Sequence, residues 1–291
     1  MDRPAGIVDF APDPALFPFE SKWFDSSVGP VHYIDEGSGR PLLLMHGNPD
    51  WSFLYRKMVS GLVDNFRCVV PDYPGFGLSV HPEGYRYTPA EHAVIVGELV
   101  DHLELTDFVV MGQDWGGPIG MEVASHRPDL VHGLVMGNTW FWPGDDRMIK
   151  VFSRGMGLAP MQWLIRERNF FVTGLMKWSL RTKLTDREFA HYTDVVPTPD
   201  SRTGIAVFPK AILSEHPWLG ELEQRVDTVL SDKPMLLVFG RKDPALASDA
   251  IIARWKRSFP DATYVDLPNA GHYIQEDAPD EIVSAILAKY G

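Results

Sequence analysis

Short, mostly apolar runs recur along this chain with room for one helix between each pair, and no other feature restricts its fold as strongly. Pro41–Met45, Arg67–Val70, Phe108–Met111 and Val131–Met136 each read as a strand buried on both faces. Between them, Ser52–Leu62 has helical spacing, Thr88-Pro89-Ala90-Glu91 opens a helix reaching about Leu103, and Trp115–His126 forms another. The Thr88 start carries a capping threonine, a proline at the first helical position and a glutamate three residues after the cap. A strand covered on both faces needs helices on both sides, so this alternation predicts a parallel sheet between two helical layers. Upstream, Val31–Ile34 is strand-like and Glu36-Gly37-Ser38-Gly39 makes a turn.

The rhythm stops at Asn138. From there to about Arg225 no buried-strand run occurs, periodicity is helical, and bulky residues such as Trp140, Trp142, Phe152, Trp163 and Trp178 are frequent. We read residues 138–225 as a helical lid inserted into a core built from residues 1–137 and 226–291. Strand rhythm resumes at Pro234–Phe239, followed by a helix at Asp249–Ser258, a strand at Thr263–Leu267 and a last helix at Pro279–Lys289. Most lid aromatics are expected to serve as the lid's own core.

Several function classes are excluded early. The formal charge of −12 repels phosphate backbones, so no nucleic-acid partner is expected. The one cysteine, Cys68, sits in an apolar strand and reads as a core residue. Met1–Phe10 carries no signal-peptide pattern, and runs such as Met235–Phe239 are too short to span a bilayer. A cytoplasmic protein that needs no membrane is therefore expected. No histidine or cysteine pair has metal spacing, and Gly75-Phe76-Gly77 lacks the third glycine of a dinucleotide loop. Neither metal nor organic cofactor is expected.

Chemistry concentrates at Gly112-Gln113-Asp114-Trp115-Gly116-Gly117, between a buried strand and a helix. Glycines two before and two after Asp114 permit a sharp turn that lifts its side chain above the sheet. A lone aspartate before a helix would read as a cap; the flanking glycines favour a nucleophile. A serine attacking saturated carbon would leave an ether, which histidine and water cannot cleave. A carboxylate leaves an ester, which they can. The following helix N-terminus favours the ionised carboxylate.

His272 follows a late strand and leads into the final helix, where a general base is expected. In folds with such an elbow the chain order is nucleophile, acid, histidine. Asp243, directly after the strand Met235–Phe239, is the candidate acid; the rival site after Val131–Met136 reads Gly137-Asn138-Thr139, with no carboxylate. His46-Gly47-Asn48-Pro49 follows the third strand, where backbone N–H groups would lie beside the nucleophile; the Asn48 amide can donate as well.

With His46–Pro49, Asp72-Tyr73-Pro74-Gly75-Phe76-Gly77, Gly112–Gly117 and Gly271-His272-Tyr273-Ile274-Gln275-Glu276-Asp277, the chain resembles the haloalkane dehalogenases over essentially its whole length. The resemblance implies an α/β-hydrolase fold, with a mostly parallel eight-stranded sheet and a helical lid. It implies hydrolysis of a small apolar haloalkane by water to a primary alcohol, halide and a proton, through an ester on Asp114. Halide would be held by two N–H donors, Trp115 and Asn48, the family's alternative to the asparagine being a lid tryptophan, for which Trp163 is a candidate. The oxyanion would lie between the backbone N–H groups of Asn48 and Trp115. The Asp114–His272–Asp243 set with Asn48 and Trp115 is similar to one subgroup of that family.

Epoxide hydrolases resemble the chain next best, but they use lid tyrosines, typically two, and this lid has only Tyr192. They also usually carry an aromatic residue at the place of Asn48. Fluoroacetate dehalogenases put arginine where Trp115 stands. A non-catalytic ligand-binding relative tends to lose a triad residue, and none is lost here. Phe170, Phe171, Phe208, Pro209 and Ile274 are candidates for the pocket wall.

Overall fold

The computed structural model describes residues 3–145 and 147–291. Its centre is an eight-stranded sheet in the order β1-β2-β4-β3-β5-β6-β7-β8. The strands are β1 (Lys22–Ser26), β2 (Gly29–Gly37), β3 (Arg40–Met45), β4 (Phe66–Pro71), β5 (Phe108–Gln113), β6 (Val131–Gly137), β7 (Met235–Gly240) and β8 (Thr263–Leu267). From β4 to β8 all neighbours are parallel, and β2 runs against both β1 and β4. The apolar runs are the middle of the sheet: every residue of β5 and β7 is buried.

The helices are α1 (Arg56–Leu62), α2 (Pro89–His102), α3 (Gly116–Ser125), α4 (Arg147–Gly157), α5 (Ala159–Arg168), α6 (Lys177–Ser179), α7 (Asp186–Thr193), α8 (Thr203–Ser214), α9 (His216–Val229), α10 (Asp249–Ser258), α11 (Ile274–Asp277) and α12 (Pro279–Tyr290). The reciprocal capping box expected at Thr88 and Glu91 opens α2. The spacing over Ser52–Leu62 resolves into a 3-10 turn, Ser52–Tyr55, running into α1. Cys68 is buried in β4, and burial pushes its thiol up to about 12, which leaves it unreactive.

Helices α4 to α8 form a lid between β6 and β7. The next helix, α9, packs against α3, and Arg225 on it donates to Ser125 Oγ at 3.0 Å. Position 225, where the sequence reading ends the lid, thus lies inside a helix anchored to the core. Helical periodicity shows that a segment is amphipathic but not which neighbour it covers.

Candidate active site

Strand β5 ends at Gln113, and the chain turns through Asp114 into α3. Asp114 has φ +51°, a left-handed conformation rare for a residue with a side chain. The turn is held from below: Asp114 N–H donates to Asn138 O at 3.1 Å, and Thr139 Oγ1 donates to Asp114 O at 2.6 Å. Glycine is required beside it, because a Cβ at Gly116 would collide with the Met45 and His46 carbonyls.

The Asp114 carboxylate sits under the loop after β3. Its Oδ1 accepts from the Asn48 backbone N–H at 2.9 Å, and the Trp115 backbone N–H also supports it. Burial nevertheless raises its pKa above the ordinary value, against the pull of His272 and of those two amides. The expected helix N-terminal stabilisation is thus present but outweighed by desolvation, which leaves a more basic, poorly hydrated carboxylate. The loop itself is set by His46: its Nδ1 bonds Gly47 O at 2.8 Å and its Nε2 accepts from Tyr73 N at 3.3 Å. Burial lowers the His46 pKa to about 4, so this ring is neutral scaffolding.

His272 Nε2 stands 3.6 Å from Asp114 Oδ2, and its Nδ1 bonds Asp243 Oδ2 at 2.8 Å. Asp243 Oδ1 accepts from the backbone N–H of Ala245 at 2.8 Å and of Leu246 at 3.2 Å. Burial alone would raise the Asp243 pKa; the His272 charge and these donors hold it below the usual value. Burial also works against a charged His272, but Asp243 and then Asp114 outweigh it and push its pKa up to about 9.

Two supports escaped the sequence reading. Asn138 closes β6 and donates from Nδ2 to Asp243 Oδ2 at 2.9 Å and to Gly271 O at 3.0 Å, while its Oδ1 accepts from Gly240 N at 2.7 Å. The place that lacks a carboxylate therefore holds an amide that fixes the Asp243 carboxylate. Gln113 Nε2 donates to His272 O at 3.0 Å from the residue before Asp114. Asp50 was also missed: it is fully buried, neither of its oxygens has a partner among the described residues, and burial raises its pKa well above the carboxylate range.

Above Asp114 lies a cavity of about 670 Å³, walled mainly by apolar side chains and reaching Asn48, Trp115, Asp243 and His272. Phe171 and Pro209 are on its wall. Phe170, Phe208 and Ile274 are not among its wall residues. Phe208 is fully buried against the rings of Phe76, His92 and Trp115, behind the wall. Ile274 is fully buried below the site, where it fills the space beside Gly137 and Gly240. Phe170 lies over Gly174 of its own helical turn. Trp163 is 52% exposed and is not among the wall residues; Trp140, Trp142 and Trp178 are the lid tryptophans on the wall. The Tyr192 hydroxyl donates to Glu276 Oε1 at 2.6 Å, inside the protein and off the wall.

Residues 42–285 match the alpha/beta hydrolase family. Haloalkane dehalogenase 2 of Mycobacterium tuberculosis is 52% identical over 284 residues, covering 98% of this chain and 99% of that protein. The chain belongs to the haloalkane dehalogenases. A cis-3-alkyl-4-alkyloxetan-2-one decarboxylase of Shewanella oneidensis is 30% identical, covering 93% of this chain and 88% of its own. Among solved structures, the haloalkane dehalogenase DatA from Agrobacterium tumefaciens superposes with a TM-score of 0.83 at 25% identity, covering 95% of this chain and 98% of that one. As a dehalogenase, this protein carries the family's eight-stranded, mostly parallel sheet with a helical lid over the cavity. Among the described residues no helix is long and apolar enough to cross a membrane, and no cluster of three or more metal-ligating side chains occurs.

Proposed function

We propose that the dehalogenase runs through an alkyl ester on Asp114, with His272 as the general base and Asp243 as the acid that orients it. The observation that carries this reading is a carboxylate at a left-handed elbow, 3.6 Å from a histidine whose other nitrogen is already committed to Asp243. Asp114 Oδ2 attacks the halogen-bearing carbon and halide leaves. Water then attacks the ester carbonyl as His272 takes its proton, and the alcohol departs with Asp114 restored. The Asn48 and Trp115 backbone N–H groups support the carboxyl before attack and fit the oxyanion formed from it.

Halide is stabilised by the Trp115 indole N–H, which donates to no described residue, and by the Asn48 amide. One Asn48 hydrogen goes to Ile205 O at 3.3 Å, leaving the other for the halide. These donors act where negative charge develops. Trp115→Phe keeps the ring and deletes the donor. It is expected to slow bromide release from 1-bromobutane by about 100- to 1,000-fold; a change under about threefold would remove Trp115 from the halide site.

Epoxide opening is disfavoured because Tyr192 is committed to Glu276 and off the cavity wall. Bromide from 1-bromobutane with no diol from styrene oxide is the expected outcome; the reverse pattern would reject the reading. Bromide release abolished in Asp114→Ala excludes a non-catalytic binder.

The two half-reactions need opposite protonation states. Alkylation needs Asp114 ionised, and ester hydrolysis needs His272 neutral. In the free enzyme the charges of Asp243 and Asp114 push His272 up to about 9. Esterification erases the Asp114 charge, so the His272 pKa falls when a base is required. As pH is lowered, hydrolysis is expected to slow before alkylation does, and rapid-quench mass spectrometry should show more alkylated enzyme in the steady state. An alkylated fraction that is flat or rises with pH contradicts this.

A further inference from the structure

The lid hairpin formed by α4 and α5 departs from the rest of the surface in two ways. Residues 147–168 hold five cations (Arg147, Lys150, Arg154, Arg166 and Arg168) and one acid, Glu167, in a chain of formal charge −12. The same hairpin exposes large apolar side chains: Val151 at 61%, Leu158 at 62% and Trp163 at 52%. On α4, Met148, Val151 and Phe152 share one face at three- and four-residue spacing, and Arg147, Lys150 and Arg154 follow on the adjoining face. Lys150 pairs with Asp145, and Arg166 with Asp200, on the exposed surface; Arg147 and Arg154 form no ion pair among the described residues. The Arg168 guanidinium lies over the Trp163 ring at 5.4 Å.

The α4 part of this surface borders the cavity that leads to the active site. Met148, Phe152 and Trp178 are exposed and also line the cavity above Asp114, as do Arg181 and Lys242. An exposed apolar strip bordered by cations matches an interfacial helix with its apolar face in the acyl boundary and its cations among headgroups. A second copy of the chain seated on this face would cover the cavity mouth. A lipid surface would feed it, since apolar substrate dissolves in the acyl region.

We propose that the α4–α5 hairpin docks on an anionic lipid bilayer and sets the cavity mouth against it, so that apolar substrate enters from the lipid. The docking rests on charge and exposure; only the identity of what enters rests on the dehalogenase reading. The contact is peripheral, since no described helix is long and apolar enough to span. It departs from the sequence reading, which considered only spanning segments.

The test is co-sedimentation of the full chain with vesicles of phosphatidylcholine containing phosphatidylglycerol, and with phosphatidylcholine alone. Binding is expected only with the anionic lipid and should weaken as salt rises. Arg147→Glu with Arg154→Glu, or Val151→Asp with Leu158→Asp, should weaken it at least about tenfold. Neither pair lines the cavity, so bromide release from dissolved 1-bromobutane without lipid should be unchanged. Hydrogen exchange of the wild type, which needs no variant to fold, should show vesicle-dependent protection within residues 147–168. No binding to anionic vesicles, protection confined elsewhere, or protection of this hairpin by protein concentration alone overturns the proposal; the last makes the face a contact between copies. Vesicle binding without halide release would leave docking standing and reject the dehalogenase chemistry; the converse would do the opposite.

Discussion

His272→Phe incubated with 1-bromobutane is expected to gain the mass of a butyl group on Asp114 and to keep it. The substitution removes the base near Asp114 Oδ2 but leaves the carboxylate, its Asn48 amide and Trp115 in place. Alkylation and bromide departure need no proton transfer from His272, so one equivalent of bromide should be released. Ester hydrolysis needs a base to activate water, and losing it is expected to slow that step by about 100- to 10,000-fold. The signature is a bromide burst of one per enzyme followed by near-arrest, with the added mass mapped to the peptide containing Asp114. A variant that turns over steadily, or acquires no alkyl group, removes His272 or Asp114 from the proposed roles.

The second large effect is expected at residues that do not line the cavity. Arg56, at the start of α1, donates from Nη2 to Glu276 Oε2 at 3.1 Å and to Glu188 Oε1 at 2.9 Å, and its Nη1 also meets Glu276. Lys57 Nζ reaches Glu276 Oε2 at 2.8 Å, and Tyr192 donates to Oε1. One buried cluster thus joins the core helix α1, the lid helix α7 and α11, which begins two residues after His272. Arg56→Met removes the guanidinium shared by Glu276 and Glu188 and leaves Glu276 to Lys57 and Tyr192, a loss expected to cost about 1.5–3 kcal/mol. Urea denaturation should show that loss. Glu276→Gln added to Arg56→Met should cost less than the two single changes summed, because the Arg56–Glu276 pair can be lost only once. A loss below about 1 kcal/mol for Arg56→Met would show that the lid is held by other contacts.

Both predictions concern residues of different legibility. Asp114 was readable because its glycines and its strand-to-helix position are local facts, and the left-handed φ they allow is the φ it has. His272 and Asp243 were readable because each lies in the loop that follows a parallel strand of the same sheet, and such loops gather on one edge. Glu276 and Arg56 are 220 residues apart and no period relates them. Asn138 and Gln113 stand at strand ends too, but an amide there has no chemistry of its own to mark it; its use appears only when Asp243 and His272 arrive from the far part of the chain. The wall residues were the least legible. Phe171 and Phe170 are adjacent and alike in sequence, yet one faces the cavity and the other its own helical turn.

The sequence by itself determined the strand-and-helix alternation, the interruption that becomes the lid, the elbow at Asp114 and the order of the three catalytic candidates. Those follow from periodicity, glycine conformational freedom and the chemistry of a carboxylate, all properties of short segments. Tertiary structure decided the rest. The strands β2 and β3 are joined by the short turn around Ser38, as a hairpin would be, yet β2 pairs with β4 and β3 lies between β4 and β5. It also decided that α9 packs on the core, that Trp163 faces solvent, and that burial outweighs backbone donors at Asp114. Pairing, packing partner and desolvation each depend on what approaches from elsewhere in the chain, and no local pattern of residues encodes that.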